Sequence, residues 1–250
     1  MKFLAITPDR SDRQELLALC KWQMRRQTRP LEHRIIDYPP ESPMCDLTQR
    51  VRRAVTQARG EGFDYCIIVE NDDYYPVDWL GNVMDILRDT PRVHLAGIPG
   101  TTYYNLSTRS WRAIGHGSNS SLFCTTIGTH IPDAAWPQDS VVSLDLHLWR
   151  RARRVHKLKG HFFDVERRPI GIKHGRGKVV TPSHDRHFRN KDPYFSQLKQ
   201  KVDGEYFNRL MSVWEQLGDK DVSLSRKQRQ LGSRHAPPLN RSISIRALQE

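Results

Sequence analysis

The chain has 250 residues, enough to bury a substantial core and in the range of one α/β domain with an appendage. Lys and Arg total 40 against 28 Asp and Glu, a net charge of +12, which favours a polyanionic partner, nucleic acid first and anionic membrane surface second, and says little about fold. The four cysteines are widely spaced, so neither a zinc site nor a disulfide framework is expected; no apolar window approaches a membrane span, MKFLAITP is too short for a signal peptide, and a cytoplasmic protein is predicted, in the host cytoplasm if viral.

Lys2 to Thr7 reads as a first strand running into a loop at Pro8, Asp9 and Arg10. Ser11 or Asp12 can cap the helix that follows, whose buried face is Leu16, Leu17, Leu19, Cys20 and Met24, and Pro30 closes it. His33 to Asp37 is a second short strand with an acid at its end. After a proline-rich loop, Val51, Ala54, Val55 and Ala58 mark a second helix, stopped by Gly60 and Gly62. Strand, helix, strand, helix, strand is the pattern of a parallel sheet with right-handed crossovers.

The third strand carries the main signal. Cys66, Ile67, Ile68 and Val69 form an unbroken apolar run, as in a strand buried on both faces, and it ends abruptly in Glu70, Asn71, Asp72 and Asp73. Carboxylates delivered to the C-terminal edge of such a sheet stand where open α/β sheets bind ligands. Crowded together they repel unless a cation or protons separate them, and oxygen ligands suit Mg²⁺ or Mn²⁺, so a divalent ion carrying a phosphorylated ligand is the expected occupant. Trp79, Leu80, Val83, Met84 and Leu87 recur at helical spacing after Pro76, which puts the acids in a strand-to-helix loop. The competing reading makes Asp72 or Asp73 only the cap of that helix.

These residues in this order resemble the N-terminal half of nucleotide-sugar glycosyltransferases with the GT-A fold, in particular the large inverting family typified by bacterial polysaccharide synthases. The likeness runs through ITPDRSDRQELLALCKWQMRRQTR, with its threonine-proline loop, arginine and helix ending in glutamine, through the acid of RIIDYPP, and through ENDD, where the family has Asp-any-Asp or Asp-any-Asp-Asp. Glu70 stands in place of the first aspartate. The resemblance implies a mostly parallel, Rossmann-like mixed sheet. It also implies that Asp72, assisted by Asp73, holds the metal on a diphosphate, and that Glu70 and Asn71 lie at the donor. Asp37 and the loop from Thr7 and Pro8 through Arg10 to Arg13 would face the nucleoside.

Val93 to Ile98 is a further strand, and the glycine- and serine-rich stretch from Thr101 to Ile127 reads as a β-meander, the acceptor side of the cleft in the resembling enzymes. Asp145 stands at the start of a helix with Leu144, Leu148 and Ala152 on one face and Arg150, Arg151, Arg153 and Arg154 after it. Read alone it is a structural acid; the family's spacing of acid, hydrophobic residue and arginine implies the catalytic base, with Asp139 in reserve. Lys173, Arg176 and Lys178 around glycines make phosphate-binding chemistry, and His174 is placed like the late histidine that completes the metal's ligand set in metal-dependent relatives. His184, Asp185 and His187 read as loop polar residues.

The expected layout is a catalytic domain over residues 1–185, a helical extension packing on it over 186–220 and a basic tail over 221–250. The expected activity is metal-dependent, inverting transfer of a sugar from a nucleoside diphosphate sugar, a UDP sugar, to a hydroxyl of hydroxymethylated pyrimidine in DNA, as in small phage enzymes of this look. A polysaccharide or lipid-linked acceptor is the rival within the class. A nucleotidyltransferase would show glycines after the first strand, which TPDRSDRQ lacks, and a non-catalytic nucleic-acid binder would find a carboxylate cluster a liability near phosphate.

Overall fold

The computed structural model describes residues 1–9, 11, 13–37, 46–115, 117–139, 141, 143–174 and 188–217. In chain order its strands are β1 (Phe3–Pro8), β2 (Glu32–Ile36), β3 (Tyr65–Ile68), β4 (Leu95–Gly97), the hairpin β5 (Gly100–Asn105) and β6 (Ser110–Gly115), β7 (Thr125–Gly128), β8 (Gly160–Phe162), β9 (Ile170–Lys173) and β10 (Asn190–Lys191). Six form a central sheet in the order β2-β1-β3-β7-β4-β8, and four form a second sheet in the order β10-β6-β5-β9. The central sheet is parallel at β2-β1, β1-β3 and β4-β8, with β7 antiparallel between β3 and β4. This is the mixed, mostly parallel α/β sheet that the repeating strand–helix pattern predicts.

Burial on both faces explains why β1 and β3 read as continuous apolar runs. Leu4, Ile6, Cys66 and Ile68 point to one side and meet helix α2 (Leu47–Gly60) and helix α4 (Leu144–Arg150) through Val51, Ala54, Val55, Leu148 and Trp149. Phe3, Ala5, Tyr65, Ile67 and Val69 point to the other and meet helix α1 (Gln14–Arg25) and helix α3 (Trp79–Asp89) through Cys20, Met24, Trp79, Leu80 and Val83. Each helix buries one stripe, so four helices cover both faces. Helix α5 (Ser196–Lys201) and helix α6 (residues 204–217) close a third core against the second sheet, where Tyr74, Tyr104, Ile170 and Ile172 pack on Leu198, Tyr206 and Leu210.

Several boundaries differ from expectation. The stretch from Thr101 to Ile127 is a hairpin and not a meander: after β6 the chain turns through a 3-10 turn at Leu122–Cys124 and re-enters the central sheet as β7. Composition misleads there because Thr125 and Thr126 are fully buried in a strand of small residues, with Thr125 Oγ1 accepting from Trp149 Nε1 at 3.2 Å. Strand β9, not foreseen in the sequence, is buried from Ile170 to Ile172. Ser11 does not cap α1: its N–H donates to Asp9 Oδ2 at 2.9 Å, and Arg13 is the N-cap residue, without a side-chain cap bond. Cys20, Cys66 and Cys124 are free and buried, and Cys45 lies outside the described residues, as does the chain beyond residue 217. Among the described residues no helix is long and apolar enough to cross a membrane.

At the β1–β2 seam, Thr7 Oγ1 and His33 Nε2 are 2.8 Å apart. Burial, with help from Lys21, holds the His33 imidazole down to about 4. The folded state therefore resists a proton that the unfolded chain accepts near pH 6.5, so this contribution to stability is whole above that pH and is lost as pH falls toward 4. Denaturant unfolding followed from pH 8 to pH 4 should show a decline of up to about 3 kcal/mol in that window, and His33→Gln should make the decline shallower.

Candidate functional site

The loop after β3 is held before it is chemically interesting. Two glutamines at i, i+4 on the buried side of α1 clamp it: Gln23 Nε2 donates to Asp73 O (2.9 Å) while Gln23 Oε1 accepts from Tyr75 N–H (2.8 Å). Gln27, just past the helix, likewise donates to Pro76 O (2.9 Å) and accepts from Leu80 N–H (2.9 Å). Glu70 N–H donates to the Tyr75 hydroxyl oxygen at 2.8 Å. Helix α3 begins at Trp79 with Asp78 as its N-cap residue, so neither Asp72 nor Asp73 is a cap.

Strand β9 then joins the same loop. Tyr74 and Ile170 exchange two backbone hydrogen bonds, at 3.0 and 3.1 Å, and Asp73 Oδ1 accepts from Ile172 N–H at 2.8 Å. The next residues of β9, Lys173 and His174, are thereby delivered beside Asp72. His174 is held from behind: its carbonyl accepts from Ser107 Oγ (2.9 Å) and from Trp214 Nε1 (3.2 Å), so both the β5–β6 hairpin and α6 fix its position. Gly171 is required in this strand, because a Cβ there would stand 2.4 Å from the Tyr103 ring.

At the centre, Arg13 Nη1 lies 2.9 Å from Asp72 Oδ2 and 3.4 Å from His174 Nε2, and the latter two atoms are 4.0 Å apart. Burial pushes the Asp72 carboxyl up, but Lys173, Arg13 and His174 outweigh it and hold it below its ordinary value. Glu70 is pushed up to about 7 by burial, with Asp72 and Asp145 adding to the effect against Lys173 and Arg13. Asp73 is raised well above the carboxylate range, first by burial. Lys173 loses by burial and gains more from Asp73, Asp72 and Glu70, so its pKa is raised. Its ammonium lies 5.4 Å over the Tyr103 ring, whose hydroxyl is 2.8 Å from Ser121 Oγ. Three carboxyl groups thus share one lysine and one arginine, and only Asp72 is held firmly ionised.

The structure moves several predicted residues. Asp73 is fully buried with Oδ1 committed to β9, and its Oδ2 has no partner among the described residues. Asn71 is buried and donates from Nδ2 to Asp9 Oδ1 at 2.7 Å, tying the loops after β3 and β1 together. Thr7 is buried and spent on His33, while Pro8 closes β1, half-buried. Asp37 is exposed and lines a groove of about 790 Å³ along β2 and α2 with Arg34, Arg52 and Arg53; none of the other predicted site residues lines it. Asp145 is half-buried in the first turn of α4, accepts from Leu146 N–H at 2.8 Å, and is near enough to Glu70 to raise its pKa. Asp139 is bonded to Arg52 Nη2 at 2.8 Å. Arg10, Arg176 and Lys178 lie outside the described residues, with His184, Asp185 and His187.

Sequence reasoning missed Asp9, Tyr75, Tyr103 and the roles of Gln23 and Gln27. The glutamines did leave a signal: polar residues at i, i+4 in register with an otherwise apolar helix stripe need buried partners.

A divalent ion fits this donor set in part. Among the described residues no three His, Cys, Asp or Glu side chains converge, but Asp72 Oδ2 and His174 Nε2 are separated by a distance that one ion at roughly 2.0–2.2 Å from each could span. One imidazole with one carboxylate suits Mn²⁺ better than Mg²⁺, with phosphate oxygens and water completing the shell. Arg13 Nη1, 2.9 and 3.4 Å from the same two atoms, stands beside that position and would repel an ion placed there.

No family model and no curated protein matches the chain. Among solved structures, the chain is similar to residues 1–349 of S. aureus TarS at 11% identity and a TM-score of 0.49, over 69% of this chain and 60% of that one. It is similar to a longer S. aureus TarS structure at 11% identity and 0.46, over 70% and 37%. It is similar to a suspected nucleotide-diphospho-sugar transferase of Desulfovibrio desulfuricans G20 at 11% identity and 0.43, over 87% and 99%. The chain thus spans less than two thirds of the TarS structures.

Gln23→Ala should strand a buried carbonyl at Asp73 and a buried N–H at Tyr75, each costing about 1–3 kcal/mol. Thermal unfolding should report a clear fall in Tm, and amide hydrogen exchange should rise first in residues 71–76.

Proposed function

We propose that the chain is a GT-A-type, inverting glycosyltransferase that moves a sugar from a nucleoside diphosphate sugar, a UDP sugar, to a hydroxyl group. The observation that carries this reading is the ionised Asp72 bracketed by Arg13, Lys173 and His174 at the C-terminal edge of β3. A departing diphosphate gathers negative charge as the glycosidic bond breaks, and fixed cations at that edge lower the barrier by stabilising it. Asp72 and His174 would hold the metal, Mn²⁺ in preference to Mg²⁺, which when bound supplies further positive charge at the diphosphate. Arg13 and Lys173 bear on the diphosphate directly. Glu70, largely protonated below about pH 7, can donate a hydrogen bond to the donor where an ionised carboxylate would repel it.

Asp145 faces the same cluster from α4 and is the proposed general base. It would take the proton of an acceptor hydroxyl attacking the anomeric carbon opposite the leaving diphosphate, so a single displacement inverts configuration. The proposed acceptor is hydroxymethylated pyrimidine in DNA, supported by the net charge of +12 and by the basic surface that follows Asp145 on its own helix. A duplex-bound base would be reached by flipping or from the major groove.

The test is mass spectrometry of nucleosides from hydroxymethylated DNA incubated with the protein, Mn²⁺ and a panel of sugar nucleotides; a hexose or pentose mass gain on the modified base is expected. Absence of turnover with every sugar nucleotide, on DNA and on glycan acceptors alike, removes the transferase reading. Asp72→Asn should abolish transfer together with metal-dependent donor binding measured by calorimetry. Asp145→Asn should lower kcat about 10²- to 10⁴-fold and leave donor affinity unchanged; a matching loss of donor affinity would contradict its role as base.

A further inference from the structure

The helix that begins with Leu144 and Asp145 does not end at Arg150 but continues as a π-helical turn, Arg151–Val155, and the chain then turns at Lys157 with a left-handed φ of 52°. From Leu146 to Phe163 there is no acidic residue, while Arg150, Arg151, Arg153, Arg154, Lys157 and Lys159 fall inside the stretch. Arg150, Arg153, Arg154 and Lys157 follow one another across the end of the helix, its π turn and the turn after it. All four are exposed, and they wall a groove of about 320 Å³ with Gly117 and Ser118 on its far side.

Several exposed arginines of this protein are paired: Arg29 meets Asp85, Arg34 meets Glu32 and Glu61, Arg168 meets Asp164, and Arg209 meets Glu205. In this groove none of the four cations has a carboxylate partner among the described residues. The wall is also built rather than loose. Arg153 lies 5.0 Å over the Phe162 ring and reaches Ser118 O from Nη1 at 3.4 Å, and Phe162 stacks on buried Trp149 at 4.8 Å and 13°. A non-glycine residue in the left-handed region together with a π turn is backbone strain of the kind that accumulates at functional surfaces. Four like charges set in a row and left unneutralised match an array of phosphates, whose condensed counterions they would release.

We infer that this groove is a phosphate rail that grips the backbone of a nucleic-acid acceptor. The inference rests on the proposed DNA acceptor and specifies where it lies. At about 1.5 Å rise per residue Arg150 stands about 8 Å from Asp145 along α4 and the other three lie past the end of that helix, so the rail would hold phosphates about two or more base steps from the reacting nucleotide. Contacts of this sort fix register and orientation and do not read sequence.

The experiment compares the wild-type chain with the triple variant Arg150→Gln/Arg154→Gln/Lys157→Gln, whose three side chains are exposed and whose removal leaves the cores intact. Fluorescence anisotropy with a labelled 20-base-pair duplex, with and without hydroxymethylated cytosine, is recorded between 50 and 200 mM salt. The rail predicts binding to both duplexes, at least a tenfold loss at 100 mM salt in the variant, and a salt-dependence slope smaller by about 2 to 3, near 0.9 per phosphate contact removed. Sugar-nucleotide hydrolysis without acceptor should be unchanged. Equal affinity and slope in variant and wild type overturn the rail, and if DNA is still glycosylated the transferase reading survives that failure. Charge-dependent binding to DNA with no sugar transferred to it has the opposite meaning: the rail stands and the acceptor assignment falls. Retention on phosphatidylserine vesicles without retention on DNA would assign the groove to a lipid surface and overturn the proposal.

Discussion

Everything in the candidate site depends on one buried acid that performs no chemistry there. Asp73 accepts the backbone N–H of Ile172 across a gap of 99 residues in sequence, beside the paired backbone bonds of Tyr74 and Ile170. This joins the end of β3, in the central sheet, to β9, in the second sheet. With the pairing of β9 to β5 and the bonds that hold the His174 carbonyl, it sets Lys173 and His174 near Asp72. Burial keeps the Asp73 carboxyl protonated far above its usual range, which lowers the charge that would otherwise crowd Glu70 and Asp72. The acid run after β3 therefore divides by function: one acid splices two sheets, one is neutral at moderate pH, and one carries the charge.

That division explains why the cluster is tolerated. Three ionised carboxylates at one strand end would cost far more than one lysine and one arginine could return. Proton retention at Asp73, and at Glu70 below about pH 7, leaves Asp72 facing Arg13, Lys173 and His174, which come from separated parts of the chain. The C-terminal helices belong to the same arrangement, because Trp214 of α6 holds the carbonyl of His174 and the third core seats α5 and α6 on the second sheet.

The legible parts of this architecture are those governed by local periodicity. The apolar runs of β1 and β3 and the stripes of α1, α2 and α3 announce a doubly covered sheet, and the abrupt passage from Val69 to Glu70 marks where the strand gives way to the acidic loop. What sequence could not reveal is direction. Asp72 and Asp73 are adjacent and chemically alike, and in the turn after β3 no strand alternation fixes where either points, so only tertiary context decides which meets Arg13 and which meets β9. For the same reason β7 could not be recognised as the antiparallel strand returning between β3 and β4: nothing in its threonines encodes its partners. Gln23 and Gln27 were visible as polar breaks in a helix stripe, but their partners, the backbone of residues 73 to 80, are fixed only once α1 lies beside the loop.

Arg13 gives the cluster its remaining freedom. Lys173 is anchored by its strand and by the Tyr103 ring, whereas Arg13 reaches in from the first residue flanking α1 and is partly exposed, with its guanidinium bridging Asp72 and His174. A guanidinium there satisfies the carboxylate and keeps the imidazole from collapsing onto it, so the pair is held at a separation of 4.0 Å in a geometry a divalent ion could adopt. On the proposed reading, arginine and metal are alternative partners of the same two side chains, and a diphosphate rewards their exchange, since the displaced guanidinium gains phosphate oxygens in place of the carboxylate it gives up.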